Sequence, residues 1–256
     1  MEDKTLLGSI TTAQADGIAT ITFSHPAHNS LPGRLLAQLT QAIKQAGEDE
    51  AVRVIILRSG GERTFCAGAS FDELMAIGDL EQGKAFFLGF ANVINAIRTC
   101  PKFVLGRVQG KAIGGGVGLA AATDICLATE HASVKLSELA IGIGPFVVGP
   151  AVARKVGQAA FQQLAIDASS WQTAGWALEK GLFQQVFPTV GEMDEHLQAL
   201  AKRLAGSSPA AMRELKRVSW AGTEDWDELL DARAAISGEL VLSNFAQEAI
   251  AAFKNK

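Results

Sequence analysis

Residues 110–121 read GKAIGGGVGLAA, a stretch with five glycines. Four glycines stand within the five residues 114–118, between an apolar run that ends at Val108 and an alanine-rich segment. Glycines at the start of a helix allow positive φ and let a ligand approach main-chain N–H groups, where the positive end of the helix dipole also lies. The stretch therefore predicts a strand-to-helix turn that can hold a phosphate or an oxyanion.

The same glycines partly match two nucleotide-binding motifs. A Walker A loop, GxxxxGK[ST], is excluded because Ala112 follows the glycine–lysine pair. A dinucleotide fingerprint, GxGxx[G/A], matches the residues from Gly116 to Ala121, and Glu138 stands near the position of its ribose-binding acid. That fingerprint follows its strand directly, whereas several residues intervene here. A dinucleotide-binding oxidoreductase is therefore the less favoured alternative.

Apolar patterns on either side of this turn predict an α/β core followed by a helical region. Alternating or β-branched apolar runs predict strands, and amphipathic segments predict helices. The predicted strands cover residues 17–23, 52–57, 103–108 and 125–128. The predicted helices cover residues 35–43, 71–75, 85–97, 158–166, 171–180, 193–204, 209–219, 226–240 and 245–253. Strands alternate with helices up to about residue 130 and nearly vanish after Gly157, which is typical of an α/β core with a helical extension.

A second turn of small residues follows the strand predicted at 52–57. Residues 65–74 read FCAGASFDEL, with Asp72 and Glu73 in the first turn of the predicted helix, where acids interact favourably with the helix dipole. Two such turns can each direct one backbone N–H to a common point. This is the arrangement of a two-donor oxyanion hole, which stabilises a developing negative charge on oxygen.

Taken together, these motifs resemble those of the crotonase (enoyl-CoA hydratase/isomerase) superfamily over nearly the whole chain. FCAGAS at 65–70 resembles the family's [FS]-x-A-G-A-D loop, and AIGGG at 112–116 resembles its A-x-G-G-G turn. GLFQQVFP at 181–188 and the segment from Ser208 to Lys216 are similar to its G-L-V-x-x-V-V-P and S-P-x-A…K motifs. The resemblance implies an α/β fold with a crotonase-type spiral of ββα units. Residues 1–195 would form the core that binds acyl-CoA, and residues 196–256 a C-terminal helical oligomerisation region.

The resemblance also implies a set of functional residues. The backbone N–H groups of Ala69 and Gly115 match the family's oxyanion-hole positions, and Glu138 matches its general acid/base. The residues that match its substrate-binding positions are Ala67, Ala69, Ser70, Phe71, Asp72, Gly115 and Gly118. The implied chemistry is stabilisation of the enolate of an acyl-CoA thioester.

One departure from the family leaves the reaction open. The family's hydratases usually carry two glutamates, and the first of these positions is Gly118 here, which leaves Glu138 alone. Hydration shares its proton transfers between both acids, whereas a Δ3–Δ2 double-bond shift needs one carboxylate. The reaction is therefore either isomerisation or hydration of an enoyl-CoA. A third alternative is that the chain is a catalytically degenerate relative that only binds acyl-CoA. Because residues 141–148 are mostly apolar, we expect burial to raise the pKa of Glu138.

Composition narrows the class of partner. The formal charge is −4, from 23 basic and 27 acidic residues, so no attraction to nucleic acid is implied. No run of about 18 consecutive apolar residues is present, which argues against a membrane span.

The cysteines and histidines indicate the cellular compartment and the absence of a metal site. Three scattered cysteines, Cys66, Cys100 and Cys126, favour a reducing cytoplasm over a disulfide framework. The histidines lack metal-ligand spacing, so no metal is expected. The resemblance implies no cofactor beyond the coenzyme A of the substrate, and a homotrimer or a dimer of trimers.

Overall fold

Two β-sheets and their flanking helices make up residues 7–254, the part of the chain that this computed structural model describes. The strands are β1 Ser9–Ala15, β2 Ile18–Ser24, β3 Val54–Ser59, β4 Thr64–Cys66, β5 Phe103–Val108, β6 Lys111–Ile113, β7 Ile125–Thr129, β8 Ser133–Lys135, β9 Gln172–Thr173 and β10 Gln185–Phe187. The helices are α1 Gly33–Glu48, α2 Phe71–Met75, α3 Leu80–Thr99, α4 Gly115–Ala122, α5 Gly149–Val156, α6 Gln158–Ile166, α7 Ala174–Glu179, α8 Val190–Ala205, α9 Pro209–Ser219, α10 Trp226–Leu240 and α11 Asn244–Lys254. A 3₁₀ turn, Glu138–Ile141, lies between β8 and α5.

The larger sheet has the strand order β1-β2-β3-β5-β7-β10. β1 runs antiparallel to β2, and the other neighbours are parallel. The strands predicted at 17–23, 103–108 and 125–128 are confirmed, and the one predicted at 52–57 begins two residues later, as β3. The sequence does not predict β1 because six of its seven residues are exposed at the edge of the sheet, where apolar alternation is not required.

The smaller sheet has the order β4-β6-β8-β9 and is parallel except for β9. Cys66, Ala112 and Val134 align across its three parallel strands and are fully buried, which fixes the register of the sheet. Because β4, β6 and β8 run in the same direction, their carboxyl ends meet at one edge. The segments that follow these three strands are therefore brought close together.

Helix α8 covers one face of the larger sheet. Its buried Met193, Leu197 and Ala201 pack in one apolar cluster with residues from five strands of that sheet: Ile18, Val54, Ile56, Leu105, Leu127 and Phe187. The domain boundary predicted at residue 195 falls inside α8, whose two halves both pack on the sheet. The division of the chain at residue 195 stays a prediction.

The C-terminal helices pack against the core of their own chain. α10 crosses α3 so closely that a Cβ built on Gly83 would lie 2.8 Å from the Cα of Gly238. Trp226, Leu230 and Ala234 of α10 are buried in the main core. The helical character expected after residue 196 is confirmed by α9, α10 and α11, and the last two residues of that region lie outside the described residues.

The helix predicted at 171–180 begins later than expected. α7 starts at Ala174, because the side chain of Thr173 caps the helix by accepting the Trp176 N–H at 3.1 Å. Trp171 therefore precedes β9 instead of lying on a helix, and it stays 38% exposed.

The cysteines are packing residues. Cys66, Cys100 and Cys126 are free and buried. Burial raises the pKa of the Cys66 and Cys126 thiols to about 12, so neither is a reactive thiolate at neutral pH. They act as small apolar side chains, as the sequence predicts. Among the described helices, none is long and apolar enough to cross a membrane.

A buried ion pair fastens α9 to the larger sheet. Lys216 is only 2% exposed, and its Nζ donates to Oδ2 of Asp124 at 2.9 Å and to the carbonyl of Lys102 at 2.7 Å. The second carboxylate oxygen of Asp124 accepts the Trp220 indole N–H at 2.9 Å. Removing one member of a hydrogen-bonded buried pair leaves the other charge without compensation.

We expect Lys216→Met to lower the free energy of unfolding by about 3–5 kcal/mol, because it leaves the buried Asp124 carboxylate without its ion-pair partner. The neighbouring Arg217→Met is the matched control. Arg217 pairs with Glu214 at 2.8 Å on the surface, and exposed pairs contribute about 0–1 kcal/mol. Urea unfolding of both variants measures the difference, and equal losses would contradict a structural role for the buried pair.

Candidate active site

Three loops meet at the carboxyl edge of the smaller sheet. The loop after β4 carries Ala69, the turn after β6 carries Gly115 at the start of α4, and the segment after β8 carries Glu138 at the start of the 3₁₀ turn. The Gly114 N–H donates to the carbonyl of Lys135 at 2.9 Å and ties the second loop to the third strand. Adjacent parallel strands thus bring the three predicted positions to one place.

Glycine is required where these loops touch. Gly68 has a φ of 91°, and a Cβ there would lie 3.2 Å from the carbonyl oxygen of Ile113. Gly114 has a φ of 51°, and a Cβ there would lie 2.9 Å from Oε1 of Glu138. Both values lie in the left-handed region that glycine adopts freely. The missing side chains let the first loop reach the second, and the second reach the carboxylate.

Two backbone N–H groups at this junction are free. Among residues 7–254, neither the Ala69 N–H nor the Gly115 N–H has a hydrogen-bond acceptor. The first loop is held in place because the Leu31 N–H donates to the carbonyl of Gly68 at 2.8 Å. Gly115 is the first residue of α4, whose leading N–H groups have no partner within the helix. Two free donors beside a carboxylate can hold a negatively charged oxygen.

The carboxylate of Glu138 is shielded from water. The residue as a whole is only partly buried, but its Oε2 atom is buried and has no hydrogen-bond partner among the described residues. This burial raises the pKa of Glu138 to about 7, against the opposing effect of backbone hydrogen bonds at Glu138 and Ser137. The increase expected from the apolar residues 141–148 is confirmed. A carboxyl group with this pKa can both accept and donate a proton near neutral pH.

The three loops open into a cavity of about 340 Å³. Its lining is mostly apolar, and Glu138 and Lys135 are the only charged residues among the described residues that line it. The predicted site residues that line it are Ala67, Ala69, Phe71, Gly115 and Glu138. A mostly apolar cavity with one protonatable carboxyl group suits proton transfer to and from a carbon atom.

Two predicted substrate-binding residues lie outside this cavity lining. Ser70 caps α2, because its hydroxyl accepts the Glu73 N–H at 3.3 Å. Asp72 is exposed in the first turn of the same helix, where an acid stabilises the helix dipole. Glu73 joins this helix to α1, because its carboxylate accepts the Gly33 N–H at 2.8 Å. The contacts of Ser70 and Glu73 thus position the first loop and α2.

Gly118 also lies outside the cavity lining, and Val148 is the reason. A Cβ built on Gly118 would lie 2.5 Å from Cγ1 of Val148, so the valine covers the buried face of α4 at this point. A Cβ on Gly116 would lie 2.6 Å from the carbonyl oxygen of Cys66. Both glycines of the dinucleotide-like pattern are therefore packing positions inside a helix and do not form a phosphate-binding turn.

Aromatic residues of α3 were not identified as site residues from the sequence. Phe86, Phe87 and Phe90 line the cavity. The Phe90 ring lies so close to Gly115 that a Cβ there would be 2.3 Å from it. Their spacing along a predicted helix shows that they share one face of it, but the same spacing is typical of a helix packed in the core, so it does not identify a binding site.

Among the described residues, no group of three or more His, Cys, Asp or Glu side chains is placed to hold a metal ion.

Comparisons with known proteins identify the family of the chain. Residues 13–256 match the family model described as enoyl-CoA hydratase/isomerase. A Bacillus subtilis protein named "Probable enoyl-CoA hydratase" is 30% identical over 98% of this chain and 97% of its own length. The peroxisomal Delta(3,5)-Delta(2,4)-dienoyl-CoA isomerase of Arabidopsis thaliana is 29% identical over 90% of this chain and 87% of its own.

The fold has close counterparts among solved structures. An enoyl-CoA hydratase from Bacillus halodurans superposes with a TM-score of 0.88 at 21% identity and covers 95% of this chain and 99% of its own. An enoyl-CoA hydratase from Mycobacterium avium has a TM-score of 0.84 at 26% identity, with 96% of both chains covered. The predicted α/β fold of crotonase type is thereby confirmed. The chain belongs to the enoyl-CoA hydratase/isomerase family of the crotonase superfamily and is an enzyme of this class.

Proposed function

We propose that the chain is an enoyl-CoA isomerase that moves a double bond from the Δ3 to the Δ2 position of an acyl-CoA thioester. Glu138 removes a proton from C2, and the electron pair passes through the carbonyl to the thioester oxygen. The Ala69 and Gly115 N–H groups donate hydrogen bonds to that oxygen in the dienolate. Glu138 then returns the proton to C4, which leaves the double bond between C2 and C3.

The pKa of Glu138 supports both halves of this cycle. A general base that must later act as an acid works best with a pKa near the working pH, and burial raises this pKa to about 7. The two free N–H groups supply the second requirement, because an α-proton leaves slowly unless the enolate oxygen is stabilised. Losing one such donor typically costs about 2.7–4 kcal/mol of transition-state stabilisation.

The packing of Val148 over Gly118 is the observation that carries the choice of isomerisation. The resemblance to the family puts the first glutamate of the two-acid hydratases at position 118. Here that position has no side chain, and a Cβ there would lie 2.5 Å from Val148 Cγ1. Glu138 is the only carboxylate among the described residues that line the cavity. One carboxylate is enough to move a proton between two carbons of the same substrate.

Hydration is the second candidate. Its support is the names of the relatives, which include "Short-chain-enoyl-CoA hydratase" of Clostridium acetobutylicum at 28% identity. Hydration adds water across a 2-enoyl-CoA, so one carboxyl group would have to activate the water and protonate C2 in turn. Turnover of 3-enoyl-CoA substrates compared with 2-enoyl-CoA substrates distinguishes the two reactions.

The proposal extends to cofactor use, assembly and location. Proton transfer by a carboxyl group needs no cofactor, since coenzyme A belongs to the substrate. We place the enzyme in a reducing cytoplasm, where three free cysteines persist. A homotrimer or dimer of trimers is supported by large apolar side chains exposed on α6 and α9: Ile166, Leu215 and Val218. A monomer in light scattering at micromolar concentration would contradict this assembly.

Replacing Glu138 tests the proposed chemistry. We expect Glu138→Gln to lower kcat on a 3-enoyl-CoA by about 10²–10⁴-fold, because the amide keeps the shape of the side chain but cannot carry the proton. Glu179→Gln, the same change on a surface residue, should leave kcat unchanged. A folded Glu138→Gln enzyme with nearly normal kcat would remove Glu138 from the mechanism. A wild-type enzyme without turnover on any 2-enoyl- or 3-enoyl-CoA would instead indicate a degenerate acyl-CoA-binding relative.

Adding a side chain at position 118 tests the packing beneath the cavity. We expect Gly118→Ala to lower the free energy of unfolding by about 1–3 kcal/mol, because the added methyl group must displace Val148. In the background of Val148→Ala, the same change should cost much less. The control is Gly191→Ala in α8, where the nearest atom to a new Cβ is 3.9 Å away, and a helical alanine is favoured. Equal stability of the Gly118 and Gly191 variants in urea would show that Val148 does not block this position.

A further inference from the structure

One charged residue that lines the cavity has no part in the proposed mechanism. Lys135 lines the cavity and is partly buried. Among residues 7–254, no carboxylate lies within ion-pair distance of its ammonium group. Glu138 stands only three residues away along the chain, yet the two groups form no ion pair. Lys135 is therefore a cation at the cavity wall that no carboxylate among the described residues balances, and its ammonium group lies near Trp171, which is not part of the lining.

A tryptophan and a second lysine hold this cation in place. Lys135 pairs with Ile113 across the smaller sheet, and Lys111 lies two residues before Ile113 on the same face. The ring of Trp171, next to β9, lies beneath both ammonium groups. Its centroid is 5.0 Å from Nζ of Lys135 and 5.2 Å from Nζ of Lys111. Lys111 likewise has no carboxylate within ion-pair distance among the described residues.

This cluster attracts an anion. Cation–π contact positions an ammonium group but leaves its charge in place. Two ammonium groups over one ring repel each other, and an anion shared between them removes that repulsion. A lysine is a compact point charge with three donors, which suits the oxygens of a carboxylate or a phosphate. The ligand expected here is therefore an oxyanion.

The position of Lys135 indicates which part of a thioester would carry that oxyanion. Its backbone carbonyl accepts the N–H of Gly114, the residue next to the proposed oxyanion donor Gly115. At about 3.3 Å per extended residue, the Cα of Lys135 lies no more than roughly 10 Å from that of Glu138. An acyl group of moderate length spans this distance from the reacting carbon. The phosphates of coenzyme A are separated from the thioester by the long pantetheine arm.

We propose that Lys135, with Trp171 and Lys111, forms an anion subsite for a carboxylate at the far end of the acyl group. The preferred substrates are then coenzyme A monothioesters of dicarboxylic acids. This inference rests on the proposed function, because it names the acyl class that the same cavity takes. A phosphate of coenzyme A would offer the same oxyanion chemistry from a different source.

Equilibrium binding of unreactive ligands tests this subsite without requiring turnover. Isothermal titration calorimetry would compare hexanoyl-CoA, its ω-carboxylated counterpart and hexanoyl-pantetheine, which lacks the phosphates. We expect the wild-type enzyme to bind the ω-carboxylated thioester about tenfold to a hundredfold more tightly than hexanoyl-CoA, as for a hydrogen bond to a charged group. Lys135→Met should abolish this preference and leave hexanoyl-CoA binding nearly unchanged. Lys135→Arg should keep most of it.

Three results would overturn the proposal. The first is equal affinity of the wild-type enzyme for hexanoyl-CoA and its ω-carboxylated counterpart. The second is an equal loss for all three ligands in Lys135→Met, which would give the lysine a purely structural role. The third is a loss for both coenzyme A ligands but not for hexanoyl-pantetheine, which would assign the cation to a phosphate. Failure of the proposed isomerisation would appear separately, as absence of turnover with intact binding of the ligands.

Discussion

The parallel alignment of β4, β6 and β8 determines where the candidate site residues lie. Each strand is only three residues long, but their shared direction sends three chain segments out at one edge. Those segments carry the Ala69 N–H, the Gly115 N–H and the Glu138 carboxylate. Buried side chains at Cys66 and Ala112 hold the register, and a slip by one residue would turn every side chain to the opposite face.

The electrostatics of the cavity follow from this geometry. The Glu138 carboxylate is held against the Gly114 turn, where water is excluded and its Oε2 atom lacks a partner among the described residues. Burial therefore raises the pKa of Glu138 from 4.5 to about 7. Because the folded state binds this proton more tightly than the unfolded chain does, this group makes the fold less stable as pH rises from about 4.5 through 7. The same pKa suits Glu138 to proton transfer near neutral pH and lowers the free energy of unfolding once the carboxyl group is ionised.

The sequence predicts the parts of this site that depend on local pattern. The two glycine turns and the strand–helix alternation can be read from short motifs, whereas Glu138 was identified through the resemblance to the family. β1 was missed because an exposed edge strand needs no apolar alternation. Two contacts could not be predicted from the sequence, because each joins segments that only tertiary folding brings together. They are the packing of Val148 against Gly118 and the position of the Lys135 ammonium group over the Trp171 ring. The close crossing of α3 and α10 at Gly83 has the same origin, since a helix pattern gives the buried face but not the partner.

The rate of α-proton exchange measures enolate formation by Glu138 separately from the later steps of the reaction. A saturated acyl-CoA, butanoyl-CoA, would be incubated with enzyme in deuterated water, and loss of the C2 proton signal followed by NMR between pH 5 and 9. We expect the wild-type enzyme to catalyse exchange at a rate that rises with pH through about 7 as Glu138 ionises, and Glu138→Gln to be slower by about 10²–10⁴-fold. Exchange by folded Glu138→Gln at the wild-type rate would contradict the role of this carboxylate as the base that forms the enolate.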